Sequence, residues 1–327
     1  MVRRQRVRAT LLTALITLAV GTLDAVDVHA NPRTPATSAP ATSAIAGTGP
    51  VPSFVRQSNI EPSGAATLAP IPSVARDVGG LTLTINGLIA ASGGVAGVAV
   101  VELGGGEPLS WSVNGDQVFT AASTYKLAAL MLEAENIAAG STDPNGAVCF
   151  QDADYESGWF DDYADGVCFT RTELAVRAGI YSDNTAGHML VRDVGGAAAL
   201  NAWAAALGAT SSQFFDGNTT TSVDLAALWN AEAQGELGGA AAQAWLYPVL
   251  TGTRTESGIP AGLSAVTVEH KTGTIDLVEN DAALVTSGPD GAYVLVVMTD
   301  GLGGTAGWQL IAGISAAIWQ FEAARSD

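Results

Sequence analysis

The 327-residue chain is poor in lysine, cysteine and basic residues in general. Its two cysteines, Cys149 and Cys168, are too few and too far apart for a zinc site. Its two lysines are Lys126 and Lys271. Acidic residues outnumber basic ones by 32 to 14, and the formal net charge is −18. A chain this acidic repels phosphate backbones and anionic lipids, so we expect it not to bind nucleic acid or acidic membrane surfaces.

The first thirty residues have the pattern of an export signal. Four arginines lie within residues 1–8, an apolar run covers residues 9–23, and the Val-His-Ala of residues 28–30 offers a cleavage site. The apolar run is short for a membrane span. We therefore predict a Sec-type signal peptide over residues 1–30 and a secreted, extracytoplasmic protein with no stable membrane insertion after cleavage. An uncleaved anchor is the alternative.

Residues 31–78 are rich in proline, alanine, serine and threonine and have no sustained hydrophobic period. This composition predicts a flexible linker. The folded domain is then expected over residues 79–327. At 48% hydrophobic residues, the chain has enough apolar side chains for a sizeable core.

The even number of cysteines in an exported chain predicts a disulfide between Cys149 and Cys168, with two free buried thiols as the alternative. Six acids lie between them, and their spacing departs from that of a calcium-binding EF-hand loop. We therefore expect a solvated acidic loop that could line one rim of a cleft, and no metal site. The six acids are Asp152, Asp154, Glu156, Asp161, Asp162 and Asp165.

Hydrophobic periodicity predicts a helix, two strands, a block of helices, three strands and a final helix. Strands from both ends of the chain can close one antiparallel sheet. We predict an α/β protein of the α+β type, with a five-stranded antiparallel sheet flanked by helices and an inserted all-α subdomain. A cleft between the subdomains is where a site is expected. Helices are predicted over residues 81–91, 123–138, from 170, 184–194, 197–207, 221–233, 240–250 and 308–324, and strands over 95–103, 109–113, 266–274, 281–287 and 292–299.

Ser123 and Lys126 stand three residues apart at the start of a predicted helix, so both side chains lie on one helical face. A serine hydroxyl becomes a good nucleophile only when a neighbouring group takes its proton. A lysine held near another cation can have its pKa lowered enough to be that group. Ser-x-x-Lys is common by chance, but two more motifs follow it. They are Tyr181-Ser182-Asp183-Asn184 and His270-Lys271-Thr272-Gly273-Thr274.

These three motifs, in this order and with these gaps, resemble those of the class A β-lactamases and the penicillin-binding proteins. The resemblance covers residues 80–325. Both lysines of the chain fall inside the motifs, which fits a need for ammonium groups that arginine does not meet. The resemblance implies a β-lactamase/transpeptidase-like fold and a monomeric serine acyl-enzyme hydrolase without a cofactor. Its substrate would be a β-lactam or a D-Ala-D-Ala-type peptide.

The resemblance also implies a role for each motif residue. Ser123 is expected to attack the carbonyl carbon, with Lys126 as the general base. Ser182 is expected to pass a proton to the departing nitrogen, and Lys271 to hold the substrate carboxylate. The backbone N–H groups of Ser123 and Thr274 are expected to form the oxyanion hole.

Five residues are expected to bind the substrate. Asn184 would bind the amide side chain of the substrate. Thr272, Gly273 and Thr274 would line it along the strand edge. Arg254 could reach the substrate carboxylate from another part of the chain, and a surface arginine is the alternative.

The chain departs from the class A pattern before Thr219. Class A β-lactamases release the acyl group with a glutamate in a loop between the second and third motifs. The matching segment here, residues 207–218, is short and has no glutamate. Its one acid, Asp216, is expected to be a turn or cap residue, and a substitute base for deacylation is the alternative.

We therefore expect slow deacylation. The alternatives are a D-alanyl-D-alanine carboxypeptidase or esterase, and a penicillin-binding sensor that is acylated without turnover. His270 should point away from Lys271 and be packed. His188 falls on the apolar side of its helix, and no histidine fits a Ser-His-Asp triad.

Overall fold

The computed structural model describes residues 77–104 and 108–326. The predicted signal peptide and nearly all of the predicted linker lie outside these residues. The first described helix begins at Val78, one residue before the predicted start of the domain. Its N-terminus is capped by Asp77, whose side chain accepts a hydrogen bond from the Gly80 backbone N–H at 2.8 Å.

Each predicted helix and strand has a counterpart in the predicted order. No helix of the described part is long and apolar enough to cross a membrane. The helices are α1 (Val78–Ser92), α2 (Tyr125–Ala138), α3 (Arg171–Gly179), α4 (Asn184–Asp193), α5 (Gly196–Ala206), α6 (Ser222–Ala233), α7 (Gly239–Leu246) and α8 (Thr305–Arg325). The strands are β1 (Val95–Glu102), β2 (Ser110–Val113), β3 (Phe119–Thr120), β4 (Ala147–Cys149), β5 (Cys168–Thr170), β6 (Thr219–Thr220), β7 (Val268–Ile275), β8 (Val278–Gly288) and β9 (Gly291–Asp300).

Five strands form one antiparallel sheet in the order β2-β1-β9-β8-β7. The early and late parts of the chain meet where β1 pairs with β9, with Val98 opposite Val297. This pairing confirms the prediction of a sheet closed from both ends of the chain. Strand β7 forms one edge of the sheet, and it carries the third motif.

Helices cover both faces of the sheet. Helix α8 has apolar residues three and four positions apart, including Ile314, Ile318 and Phe321, and this stripe packs with Leu81 and Ile85 of α1 on one face. The opposite face packs against α6 and α2 as part of a larger apolar core with the middle helices. The first and last helices of the described chain therefore share one face of the sheet.

The helix predicted from Ser123 is divided. Residues Ala122–Thr124 form a short 3-10 turn, and α2 begins only at Tyr125. Ala122 has a φ of 48°, in the left-handed region that is uncommon for a residue with a Cβ. This turn places Ser123 just before the N-terminus of α2, beside the edge strand β7.

Two small two-stranded sheets were not predicted: β3 pairs with β6, and β4 pairs with β5. Strands of two or three residues are too short to show an alternating pattern. The second of these sheets brings Cys149 opposite Cys168, and the two cysteines form a disulfide. The predicted disulfide is thus confirmed, and the alternative of free thiols is wrong.

Two predicted helix starts are confirmed by their caps. The Thr170 side chain accepts a hydrogen bond from the backbone N–H of Glu173, and Thr221 accepts one from Asp224, both at 3.1 Å. Helix α3 therefore begins immediately after the disulfide-closed loop. The loop and the second motif that follows α3 are held in one connected unit.

The disulfide closes a loop between cysteines 19 residues apart. We expect the Cys149→Ser/Cys168→Ser double variant to lose about 3 kcal/mol of unfolding free energy, because the open loop has more freedom in the unfolded chain. Urea denaturation of both proteins, with and without reductant, measures the loss. Reductant should lower the midpoint of the wild type only, and equal midpoints for all four samples would contradict the expectation.

Candidate active site

The side chain of Lys126 is fully buried and lies beside the predicted nucleophile. Its Nζ is 2.9 Å from Ser123 Oγ, 2.7 Å from the Ser182 carbonyl oxygen and 2.8 Å from Asn184 Oδ1. The last two atoms can only accept hydrogen bonds. They therefore take two N–H groups of a neutral amine, and its lone pair is left to face the Ser123 hydroxyl.

The electrostatics of this position favour the neutral amine. Burial lowers the pKa of Lys126 to about 7, although the charges of Asp183 and Glu156 act in the opposite direction. A large fraction of Lys126 is then unprotonated near neutral pH. The group that can accept a proton from Ser123 is in contact with it.

A glycine makes the room that Lys126 occupies. A Cβ at Gly187 on α4 would lie 2.7 Å from Lys126 Cε and 2.9 Å from the Tyr125 hydroxyl. Both distances are too short for normal contact. The helix that follows the second motif can therefore pack closely over the lysine only because residue 187 is glycine.

The second buried lysine meets the first at Ser182. Lys271 Nζ donates to Ser182 Oγ at 2.9 Å and to the Thr272 carbonyl oxygen at 2.8 Å. Burial and the charge of Lys126 hold the pKa of Lys271 well below its ordinary value, and Asp281 partly offsets them. Ser182 thus accepts hydrogen bonds from both lysines, from Lys271 at its hydroxyl oxygen and from Lys126 at its carbonyl oxygen.

Ser182 has a left-handed backbone with a φ of 58°. Such a conformation costs about 1–2 kcal/mol for a residue with a Cβ. Its neighbour Asp183 is fully buried and caps α4 by accepting from the Ala186 backbone N–H at 2.9 Å. Asp183 also accepts hydrogen bonds from the Trp159 backbone N–H at 2.8 Å and from the Tyr163 hydroxyl at 2.7 Å. These contacts hold the second motif against the disulfide-closed loop.

Strand β7 passes very close to the nucleophile. A Cβ at Gly273 would lie 2.7 Å from the Ala121 carbonyl oxygen and 3.0 Å from the backbone nitrogens of Ser123 and Thr124. Glycine is required there for the edge strand to lie against the 3-10 turn. This approach brings the third motif to the backbone N–H of Ser123.

A cavity of about 270 Å³ opens on Ser123 and Ser182. Both lysines are buried behind its lining, so a bound molecule meets the hydroxyls first. The lining also includes Asn184, Thr272, Thr274, Arg254, Trp159 and residues 179–181. All predicted site residues are therefore brought together at one place, with Gly273 contributing backbone.

Arg254 lines the cavity and is also exposed, so its contact with a substrate carboxylate stays a prediction beside the alternative of a surface arginine. Its guanidinium carbon is 4.6 Å from the centroid of the Trp159 ring, a cation–π distance. Thr274, in contrast, is already engaged, because its hydroxyl donates to Glu279 Oε2 at 2.6 Å. Thr272 is the strand hydroxyl that lines the cavity without such a partner in the described residues.

A second cavity, of about 570 Å³, lies on the other side of Ser123. The short segment without a glutamate borders it through Phe215, whose ring packs edge-on against Tyr125 at a centroid distance of 5.6 Å. Asp216 also lines this cavity, and its backbone N–H donates to the Phe214 carbonyl oxygen at 3.1 Å, as in a turn. Glu156 and His188 line it as well; sequence reasoning placed Glu156 only in a loop that could form the rim and gave His188 no part in the site.

The loop between the cysteines forms a rim of the site, through Trp159 on one cavity and Glu156 on the other. Most of its acids are exposed, as predicted for a solvated loop. Asp154 is the exception: it is buried and paired with Arg192 Nε at 2.9 Å.

His270 is fully buried and packed, as predicted, and it is not among the residues that line the catalytic cavity. Its Nδ1 is 2.9 Å from Asp281 Oδ1, and its Nε2 is 3.1 Å from Glu256 Oε1 and 3.2 Å from Thr253 Oγ1. Burial lowers the pKa of His270, but Asp281 and Glu256 outweigh it and raise the pKa to about 9. A charged His270 therefore fixes the residues on either side of Arg254.

A fully buried lysine in contact with a serine, backed by a second lysine and a second serine, is the site of a serine hydrolase of the Ser–Lys type. The sequence matches the model of the β-lactamase enzyme family over residues 80–321. The chain belongs to that family.

Solved structures agree with this assignment. PBP-A is 28% identical, with a TM-score of 0.69 over 77% of this chain and 98% of its own. A mutant of PBP-A, solved as an acyl-enzyme complex with penicillin G, is 29% identical, with a TM-score of 0.68 over 76% and 98%. A β-lactamase from Sphaerobacter thermophilus is 27% identical, with a TM-score of 0.65 over 75% and 97%. No curated protein matches the sequence.

The charge on His270 should make its contribution to stability depend on pH. A pKa raised from 6.5 to about 9 means that the contribution is complete below pH 6.5 and is lost as the pH rises through about 9. We expect the unfolding free energies of wild type and His270→Gln to differ by on the order of 3 kcal/mol more at pH 6 than at pH 9.5. Urea denaturation across this range measures the difference, and a difference independent of pH would contradict the charged state.

Proposed function

We propose that the chain is an exported serine hydrolase that opens β-lactam amides through an acyl-enzyme on Ser123, with slow deacylation. The observation that carries this proposal is the continuous contact from Ser123 to Lys126, Ser182 and Lys271 at the floor of a cavity. The family assignment supports it, as does the penicillin G bound in the PBP-A mutant. The predicted signal peptide is the support for export.

Acylation begins with proton transfer from Ser123. The neutral Lys126 amine takes the proton from Ser123 Oγ while this oxygen forms a bond to the carbonyl carbon of the substrate. The backbone N–H groups of Ser123 and Thr274 stabilise the oxyanion. Removing one such donor typically costs about 3–4 kcal/mol in the transition state.

The leaving nitrogen receives its proton through Ser182. Lys271 Nζ donates to the Ser182 hydroxyl, which leaves the hydroxyl proton free to point into the cavity. Lys126 Nζ, at 3.5 Å from the same hydroxyl, then returns the proton that it took from Ser123. The C–N bond of the substrate breaks, and Ser123 carries the acyl group.

The substrate is held by groups around the same cavity. Arg254 and the field of Lys271 attract its carboxylate, and the Thr272 hydroxyl lies beside them. Asn184 already donates to Glu156 and to the Ser157 carbonyl oxygen, so binding an acyl side chain requires these contacts to open or be shared. Slow deacylation is supported by the segment 207–218, which contains no glutamate.

A D-alanyl-D-alanine carboxypeptidase is the second candidate. The lack of a loop glutamate favours it, as does the similarity to PBP-A. An acylated sensor differs from both because its adduct does not decay. We expect the protein to act as a monomer.

Intact mass spectrometry tests the acyl-enzyme directly. After residues 31–327 are mixed with benzylpenicillin, the wild type should gain the mass of one penicillin and lose it over time. Ser123→Ala should gain nothing, because the bond forms at Ser123 Oγ. A gain on Ser123→Ala, or none on the wild type, would contradict the proposal, and a permanent gain would favour the sensor.

The pH dependence of acylation tests the role of Lys126. The rate of adduct formation should rise with pH and reach half of its maximum near pH 7, because only the neutral amine accepts a proton. Lys126→Arg should acylate at least about a hundredfold more slowly, because a guanidinium does not lose its proton. Stopped-flow mixing with a fluorescent penicillin from pH 5.5 to 9 measures both, and a rate that falls with pH would contradict this role.

A further inference from the structure

Two titratable side chains outside the three motifs meet at the second cavity. Glu156 lies on the disulfide-closed loop and His188 on α4, and Glu156 Oε2 is 2.9 Å from His188 Nε2. Both residues line the cavity of about 570 Å³ that also reaches Ser123. The pair therefore shares a cavity large enough for several water molecules with the atom that would carry the acyl group.

The pair is connected to the residues around the nucleophile. Glu156 Oε1 accepts a hydrogen bond from Asn184 Nδ2 at 2.9 Å, and Asn184 Oδ1 accepts one from Lys126 Nζ at 2.8 Å. Thr185 fixes the backbone of the loop at Glu156. The Glu156 N–H donates to Thr185 Oγ1 at 3.1 Å, and the Thr185 hydroxyl donates to the Glu156 carbonyl oxygen at 2.8 Å. Three residues of α4 thus position Glu156: Asn184, Thr185 and His188.

The contact with Glu156 selects the tautomer of His188. A carboxylate only accepts, so Nε2 carries the hydrogen and the lone pair of a neutral ring lies on Nδ1. No group among residues 77–104 and 108–326 hydrogen-bonds to Nδ1, and this atom is not fully buried. Phe215 packs edge-on against the imidazole, with ring centroids 4.9 Å apart, and restrains its orientation.

We propose that His188 is the base that activates the hydrolytic water for deacylation, and that Glu156 positions its imidazole. This inference rests on the proposed acyl-enzyme and assigns its second half-reaction. Asp216, the other acid on the cavity, makes no side-chain hydrogen bond within the described residues that would fix it for this task.

The step balances within the cavity. A water molecule gives a proton to His188 Nδ1 while its oxygen bonds to the acyl carbon. The bond between that carbon and Ser123 Oγ then breaks. The imidazolium returns the proton to the departing Oγ through the water of the cavity, so that a carboxylic acid and the free serine result. The negative charge of Glu156 stabilises the imidazolium in between.

The test separates the two half-reactions. Acylation and deacylation rate constants are measured by intact mass for wild type, His188→Gln and the matched control Asp216→Asn, with benzylpenicillin. His188→Gln keeps an N–H for Glu156 but has no basic nitrogen. Its ratio of deacylation to acylation rate constants should fall at least about tenfold, and the ratio for Asp216→Asn should stay within about twofold of the wild type.

A second variant distinguishes a missing base from a disturbed fold. In His188→Ala, added imidazole should occupy the space left by the histidine ring and restore at least part of the lost deacylation rate. Added N-methylacetamide, which has no basic nitrogen, should not. An unchanged ratio in His188→Gln, an equal fall in Asp216→Asn, or no rescue would overturn the inference. A wild-type adduct that never decays would overturn it too and leave the acyl-enzyme standing, whereas the absence of any wild-type adduct would contradict the proposed function itself.

Discussion

The site depends on the burial of two lysines side by side, with no carboxylate of the described residues hydrogen-bonded to either amine. Within that part of the chain, their Nζ atoms hydrogen-bond only to the hydroxyl oxygens of Ser123 and Ser182, the carbonyl oxygens of Ser182 and Thr272, and the amide oxygen of Asn184. A buried ammonium with neutral partners is several kcal/mol less stable than a solvated one. The site therefore favours the loss of a proton, which is the state that a general base needs.

The surrounding structure maintains this unfavourable arrangement. Gly187 lets α4 approach Lys126, and Gly273 lets β7 approach the backbone of the Ser123 turn, more closely than a side chain would permit. The charge of Asp183 raises the pKa of Lys126 through space, but the carboxylate is hydrogen-bonded to the loop and to the first turn of α4, so it does not neutralise Lys126 by direct contact. The disulfide fixes the ends of the loop that supplies Trp159 and Glu156. Stability elsewhere in the fold thus supports a strained and desolvated centre.

Much of this could be predicted from the sequence, because the informative features are local. Periodicity located the strands of the sheet, and the spacing of Ser123 and Lys126 placed both on one face. The 3-10 turn at Ala122–Thr124 could not be predicted, since it arises from packing against β7. The contacts of Glu156 with His188 and of His270 with Asp281 and Glu256 also depend on tertiary packing and strand register. No local pattern marks these contacts. In the sequence, Glu156 is one acid of a solvated loop and His188 lies on the apolar side of a helix.

The protonation state of Lys126 tests the account most directly. The chain contains only two lysines, so 13C labelling of lysine at Cε gives two side-chain signals, and Lys126→Arg assigns them. The account predicts that the Lys126 signal titrates near pH 7 in the resting enzyme, with Lys271 also displaced below its ordinary range. Two signals that both titrate near the ordinary lysine value of 10.5 would contradict it, because Lys126 would then be charged at neutral pH and unable to accept the proton of Ser123.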